Sequence, residues 1–101
     1  MMMANNRYAY LLVFDTVIGS LQEVSKFLDK REDIFQNWMT VLPNSFFVIS
    51  DKSAKELSEV FRTFTNDQGS FIILDVKTDR NGWLPKKAWE FVRKPKAIWE
   101  Q

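Results

Sequence analysis

The chain has 101 residues, of which 46% are hydrophobic and 15% aromatic, and a formal net charge of +1. This length supports one domain with a single hydrophobic core. The sequence contains neither cysteine nor histidine, which excludes disulfides, thiolate chemistry and imidazole bases or ligands, so that any catalysis would depend on carboxylates, lysines or hydroxyls.

The first predicted element is a strand over Tyr8–Phe14, a continuous run of aromatic and aliphatic residues that is typical of a strand covered on both faces. Ser20 and Glu23 follow at the spacing of a capping box, in which each side chain accepts a backbone N–H at a helix N-terminus. The next apolar residues recur at helical spacing. We therefore predict a helix from about residue 21 into residue 30 or 31.

The middle of the chain predicts a β-hairpin, a second helix and a last strand. Two apolar runs, Trp38–Leu42 and Ser45–Ile49, flank Pro43-Asn44, which is a turn signal. The first run could instead be an irregular lead into a single strand. A second capping box, which begins at Ser53, predicts another helix, and a turn cluster then leads into a strand over Ser70–Lys77.

The resulting order, β-α-β-β-α-β, is that of the ferredoxin-like α+β fold, in which four antiparallel strands carry two helices on one face. The predicted strands, however, are apolar on both faces. In the first strand, Tyr10 and Leu12 oppose Leu11 and Val13. A bare apolar face of this size would aggregate, so a second covering layer is required.

The candidates for this layer are a partner subunit and the C-terminal segment. Pro85 is typical of a first helical turn, and Pro95 is expected to end the short helix that follows it. We therefore predict a single domain over residues 1–101, with a ferredoxin-like core at residues 7–77. Residues 78–101 form a C-terminal helical arm that packs on its own sheet or on that of a neighbour. The arm is rich in apolar residues, namely Trp83, Leu84, Trp89, Phe91, Val92, Ile98 and Trp99.

The C-terminal segment also carries the positive charge of the chain. Residues 77–101 contain seven basic and three acidic residues and have a net charge of +4, whereas residues 1–76 have a net charge of −3. Basic residues interleaved with Trp89 and Trp99 can form a strip that contacts nucleic-acid phosphates. The alternative is a solvated surface with the tryptophans buried beneath it. The candidate nucleic-acid-binding residues are Lys86, Lys87, Arg93, Lys94 and Lys96.

Several stretches together resemble one family. They are Ser45–Ile49, then Asp51–Leu57 at the start of the second helix, and Gly82-Trp83-Leu84-Pro85-Lys86 with Ala88-Trp89 after the last strand. Over Tyr8–Val92 the chain resembles the SinR-like family of small bacterial proteins. That family is similar in fold to the small subunit of the CRISPR adaptation complex, which is a ferredoxin-like dimer. The resemblance implies a ferredoxin-like fold and a homodimer.

The resemblance also implies a metal site. The related CRISPR subunits end their first strand with an aspartate that binds a divalent metal across the dimer axis, and the matching position here is Asp15. Mg²⁺ prefers carboxylate oxygens and can activate a water against a phosphodiester. Asp15 is therefore the candidate metal-ligating and catalytic residue. The alternative is that this aspartate bonds nearby backbone N–H groups in a turn.

From these observations we predict a small dimeric protein that acts as a nucleic-acid-associated or regulatory binding module. The alternative is a weak Mg²⁺-dependent endonuclease that uses Asp15 at the dimer axis. The sequence shows no signal-peptide pattern, and no apolar run approaches the ~18 residues that cross a bilayer. We therefore expect a cytoplasmic protein without membrane association.

Overall fold

The computed structural model describes residues 6–77 and 79–100, which form a four-stranded antiparallel sheet and three helices in one compact α+β domain. Residues 1–5, 78 and 101, which the domain prediction includes, lie outside the described residues. The elements are β1 (Tyr8–Phe14), α1 (Leu21–Lys30), β2 (Asn37–Thr40), β3 (Ser45–Ser50), α2 (Ala54–Thr65), β4 (Phe71–Asp75) and α3 (Lys86–Arg93), followed by a 3-10 turn at Ile98–Glu100.

The sheet has the strand order β2-β3-β1-β4, with every neighbouring pair antiparallel. The predicted bounds of β1 are confirmed, whereas β4 is shorter than the predicted strand over Ser70–Lys77. β2 pairs with β3 from Asn37 to Thr40, so the first half of the predicted hairpin is a true strand. Its turn depends on Asn44, whose φ of 61° lies in the left-handed region that asparagine tolerates.

Both predicted capping boxes are present and fix the starts of α1 and α2. At α1, Ser20 Oγ accepts the N–H of Glu23 at 3.1 Å, and Glu23 Oε1 accepts the N–H of Ser20 at 2.8 Å. Ser53 and Glu56 make the same pair of bonds at α2. These bonds favour the ionised carboxylates and lower the pKa of both glutamates.

One face of the sheet packs against α1 and α2 and forms the larger hydrophobic core. The side chains of Phe46 and Phe61 are fully enclosed there, and Phe27 stacks on Phe64 with ring centroids 4.6 Å apart. Leu12 of β1 and Leu57 of α2 are also fully buried in this core. The aromatic content of the sequence is therefore largely used to fill the space between the sheet and these two helices.

The other face of the sheet packs against α3. Ala88 and Val92, one helical turn apart on α3, are buried in a second apolar cluster with Ala9, Phe47 and Ile49 of the sheet. The C-terminal segment of the chain therefore lies on its own sheet. A helix that is apolar along one stripe satisfies the requirement for a second covering layer.

Buried polar groups attach the end of the chain to β2. The side-chain amide of Asn37 donates to the carbonyl of Lys96 at 3.1 Å, and the carbonyl of Gln36 accepts the N–H of Ile98 at 2.8 Å. Asn37 is only 4% exposed, so these bonds satisfy backbone groups that the packing shields from water. They fix the direction of the chain after α3.

Within the described residues, no helix is both long enough and apolar enough to span a lipid bilayer.

Tyr10 generates a prediction on the stability of this core at high pH. Its hydroxyl donates to the carbonyl of Lys52 at 2.7 Å, and burial, with a smaller effect of the Asp75 carboxylate, raises the pKa of Tyr10 to about 12. The unfolded chain releases this proton near pH ~10. Below pH ~10, ionisation of Tyr10 should therefore leave the free energy of unfolding unchanged. As the pH rises from ~10 through the pKa of Tyr10 in the folded chain, the free energy of unfolding should fall.

Urea unfolding at a series of alkaline pH values measures this effect. Tyr10→Phe should remove part of the alkaline fall in the free energy of unfolding, and Tyr8→Phe, the matched control, should retain it. Equal pH profiles for the native chain and Tyr10→Phe would show that the hydroxyl of Tyr10 is not held in its protonated form by the fold.

Candidate functional site

Basic side chains gather in a cleft on one side of α3. This α3 cleft has a volume of about 510 Å³ and is lined by Asn37, Lys87, Glu90, Phe91, Arg93, Lys94 and Lys96. It contains four of the five predicted nucleic-acid-binding residues. The exception is Lys86, which is exposed at the first position of α3 and does not line the cleft.

Helical spacing explains why these residues meet. Lys87, Phe91 and Lys94 follow one another at intervals of four and three residues, so they lie on one side of the helix. Ala88 and Val92 lie on the adjacent stripe and face the sheet. Because that stripe is fixed by burial, the cations point to the edge of the sheet.

The chain then turns back beside this cleft, where Asn37 holds the carbonyl of Lys96. Sequence reasoning missed Asn37, because an asparagine at the start of a short strand gives no signal of a partner 59 residues away. The lining residues of the α3 cleft comprise four cations and the carboxylate Glu90, so the cleft is strongly positive. Such a surface attracts polyanions.

A second basic cleft lies on the other side of α3. This Arg7 cleft has a volume of about 590 Å³, and its basic lining residues are Arg7, Lys77, Arg80 and Arg93. Arg93 therefore lines both clefts. Arg7, Lys77 and Arg80 are not among the residues predicted from the sequence, because Arg7 lies far from the other two along the chain and meets them only where β1 and β4 are neighbours in the sheet.

Asp15, the predicted metal ligand and catalytic residue, lies in a turn directly after β1. Its Oδ1 accepts the N–H of Val17 at 3.1 Å, and its carbonyl accepts the N–H of Ile18 at 2.9 Å. The turn packs against Gly69, where a Cβ atom would lie 2.9 Å from Ile18 Cγ1. This is the geometry of an aspartate that stabilises a turn through its own backbone.

One chain does not by itself fit a magnesium site at Asp15. Among residues 6–77 and 79–100, no group of three or more acidic side chains could hold a metal ion. Asp75 is paired with Tyr10 at the far end of the β1–β4 ladder. Tyr10 lies five positions before Asp15, so Asp75 is separated from Asp15 by ~17 Å along the strand. A second carboxylate would have to come from another copy of the chain, so the metal site stays a prediction.

α3 leaves part of the second sheet face open. Val13, Ile72 and Leu74 are 38%, 51% and 45% exposed, and Val13 lies directly opposite Ile72 in the β1–β4 register. β4 is also an edge strand. Next to this apolar patch lies a groove of about 390 Å³, at which Trp83 is 99% exposed. Exposed apolar surface of this kind is typical of a contact with another protein.

Comparison of the chain with known protein families, with curated proteins and with solved structures found no match.

The two interpretations of Asp15 predict different results for a pair of variants. Asp15→Asn keeps a side-chain oxygen that can accept the N–H of Val17, whereas Asp15→Ala removes it. If the side chain serves the turn, Asp15→Ala should lower the free energy of unfolding by about 1 kcal/mol, and Asp15→Asn by much less. Chemical denaturation measures both values.

A metal-dependent nuclease would give another pattern. Cleavage of labelled RNA or DNA would require Mg²⁺, would stop in EDTA, and would be lost in Asp15→Asn and Asp15→Ala alike. Cleavage that persists in both variants would exclude Asp15 as the catalytic residue.

Proposed function

We propose that this protein is a nucleic-acid-associated binding module of ferredoxin-like fold, which contacts the phosphate backbone through the α3 cleft and acts as a homodimer. The observation that carries the proposal is the convergence of Lys87, Arg93, Lys94 and Lys96 on one cleft. The strand order β2-β3-β1-β4, joined by the order β-α-β-β-α-β, supports the ferredoxin-like assignment.

The chemistry of the α3 cleft suits a polyanion better than a small neutral ligand. Its cations are exposed, Lys87 and Lys94 lie on the same side of α3 and its C-terminal end, and Phe91 is half-buried among them. Lysine and arginine contacts to phosphates release counterions and give affinity that is independent of sequence. The cleft presents few groups that could distinguish one base from another, so we expect weak base selectivity.

The resemblance to the SinR-like family, and through it to the small subunit of the CRISPR adaptation complex, agrees with a nucleic-acid-associated dimer. It supports the proposal from the sequence side. The exposed apolar patch of Val13, Ile72 and Leu74 supports it from the structural side, because such a patch on an edge strand is a surface that a second copy can cover.

The salt dependence of binding tests the nucleic-acid interface. Fluorescence anisotropy with labelled single-stranded DNA and RNA should give an affinity that falls steeply with salt concentration. Lys87→Gln, Lys94→Gln and Lys96→Gln should each reduce the slope of log K against log salt concentration by roughly 0.7, since each removes one phosphate contact to a single strand. The loss of affinity should be similar for different sequences.

Lys26→Gln and Lys55→Gln are matched controls, because these lysines are exposed on α1 and α2, on the other side of the sheet. Both should bind like the native chain. If the controls lose as much affinity as the α3 variants, the affinity follows the net charge of the protein, and this result would contradict an interface at α3. Absence of binding at low salt would refute the proposed function.

Ile72→Lys tests the homodimer. The native chain should run as a dimer in light scattering at micromolar concentration, and a charge in the centre of the apolar patch should shift it to a monomer, because an unpaired charge is costly to bury. Val17→Lys, a control at a residue that is 67% exposed outside the strands, should leave the dimer intact. A monomeric native chain would contradict the dimer, and with it a metal site built from two copies of Asp15.

A further inference from the structure

The start of β1, the end of β4 and the end of α3 meet at the Arg7 cleft. β1 and β4 are antiparallel, and the ladder continues past Asp75 with a bond from the N–H of Val76 to the carbonyl of Ala9 at 3.1 Å. The residues after β4 therefore run beside the residues that precede β1. This brings Lys77 and Arg80 to the same cleft as Arg7.

Arg7 is unusual because its charged side chain is enclosed. The side chain is only 5% exposed, and its guanidinium carbon lies 5.5 Å from the centre of the Trp99 ring. Its Nε and Nη1 atoms are buried and have no hydrogen-bond partner among the described residues. Buried polar groups are normally hydrogen-bonded, since burial without a partner is costly.

Among the described residues, Glu100 forms an ion pair with Arg7 but compensates its charge incompletely. Glu100 Oε2 lies 3.5 Å from Arg7 Nη1, a distance at which the contact is weak. The other oxygen of Glu100 accepts the N–H of Ala97 at 2.7 Å, which holds the carboxylate in place. The cleft therefore has a buried positive charge in its wall.

Three exposed cations surround this buried charge. Arg80 is held in position by Nη1, which donates to the carbonyls of Val76 and Lys77 at 2.6 and 3.0 Å. Arginine has five N–H donors, so the rest of the guanidinium can serve a ligand. Within the part of the chain that the structure describes, the acidic lining residue is Asp75, and its Oδ1 accepts the N–H of Lys77 at 2.8 Å. Four cations against one carboxylate make the cleft strongly positive.

We propose that the Arg7 cleft is a binding site for a phosphate group. Phosphate carries up to two negative charges at neutral pH and several acceptor oxygens, and arginine and lysine donors converging on one point are the groups that bind it. The cleft volume of about 590 Å³ leaves room for an organic group that carries the phosphate. Inorganic phosphate, a mononucleotide and the terminal phosphate of a nucleic-acid strand share this chemistry.

This site is separate from the interface proposed at α3. Arg7, Lys77 and Arg80 line the Arg7 cleft and not the α3 cleft, whereas Lys87, Lys94 and Lys96 line the α3 cleft and not the Arg7 cleft. Variants of Lys77 and Arg80 therefore test the phosphate site, and variants of Lys94 test the α3 interface. Arg93 lines both clefts and is left unchanged in these experiments.

Isothermal titration at constant ionic strength and about pH 8, where phosphate is dianionic, tests the proposal. The probes are sodium phosphate, adenosine monophosphate and adenosine. The native chain should bind both phosphate compounds saturably and should not bind adenosine. Lys77→Gln and Arg80→Gln should each weaken the binding of phosphate by roughly tenfold, as expected for the loss of a charge-assisted contact.

Lys55→Gln, at an exposed lysine of α2 that lines neither basic cleft, is the matched control and should bind phosphate within about twofold of the native chain, a negligible change in free energy. Because Arg7 is enclosed, replacing it risks misfolding, and the two exposed residues carry the test. Tighter binding of adenosine monophosphate than of inorganic phosphate would assign the site to a nucleotide. Equal affinity would assign it to the free anion. The site would be assigned to the terminus of a strand if Lys77→Gln bound a 5′-phosphorylated oligonucleotide more weakly than the native chain does and bound the 5′-hydroxyl strand equally well.

No saturable binding of phosphate to the native chain would overturn the proposal. An equal loss in Lys55→Gln and Lys77→Gln would also overturn it, because the effect would then follow net charge and not this cleft. Neither result bears on strand binding at the α3 cleft, which is measured separately through the salt dependence.

Discussion

The structure depends on a sheet that is apolar on both faces. Leu12 and Phe46 point to α1 and α2, and Ala9, Phe47 and Ile49 on the same strands point to α3. A sheet of this composition is stable only with a layer on each side, because the exposed alternative would leave a large apolar surface in water. The two capped helices supply one layer, and the end of the chain supplies the other.

This covering role determines where the positive charge lies. α3 has its apolar stripe fixed on the sheet by Ala88 and Val92, so Lys87 and Arg93 face the clefts along its sides. Arg93 borders both of them. The packing of this short helix therefore places a cation at both basic surfaces, and the buried amide of Asn37 holds the segment that follows it.

The cover on the second face is incomplete. α3 has eight residues, too few to span all four strands, and Val13, Ile72 and Leu74 remain accessible at the β4 side. The molecule thus presents accessible surfaces of two chemical kinds. One is apolar and suits a protein surface, and the other is cationic and suits phosphate groups.

Local chemistry determined most of the secondary structure. The capping boxes at Ser20 and Ser53 and the apolar run of β1 placed the elements within about a residue, because these signals act between neighbours in the chain. The positions of Lys87 and Arg93 were also predictable, since they depend on helical spacing within α3, whereas Lys96 is placed by the bond from Asn37 to its carbonyl.

The sequence by itself could not decide which sheet α3 covers, because a cis and a trans contact bury the same residues. It also could not reveal the Arg7 cleft, in which Arg7 is separated from the other cations by about seventy positions or more and meets Lys77 and Arg80 only through the antiparallel pairing of β1 and β4. The sequence also left two interpretations of Asp15. The bond from the N–H of Val17 fits the turn interpretation, and the metal site between two copies of the chain stays a prediction. Short-range signals thus determined the elements, and long-range pairing decided how the candidate sites are assembled.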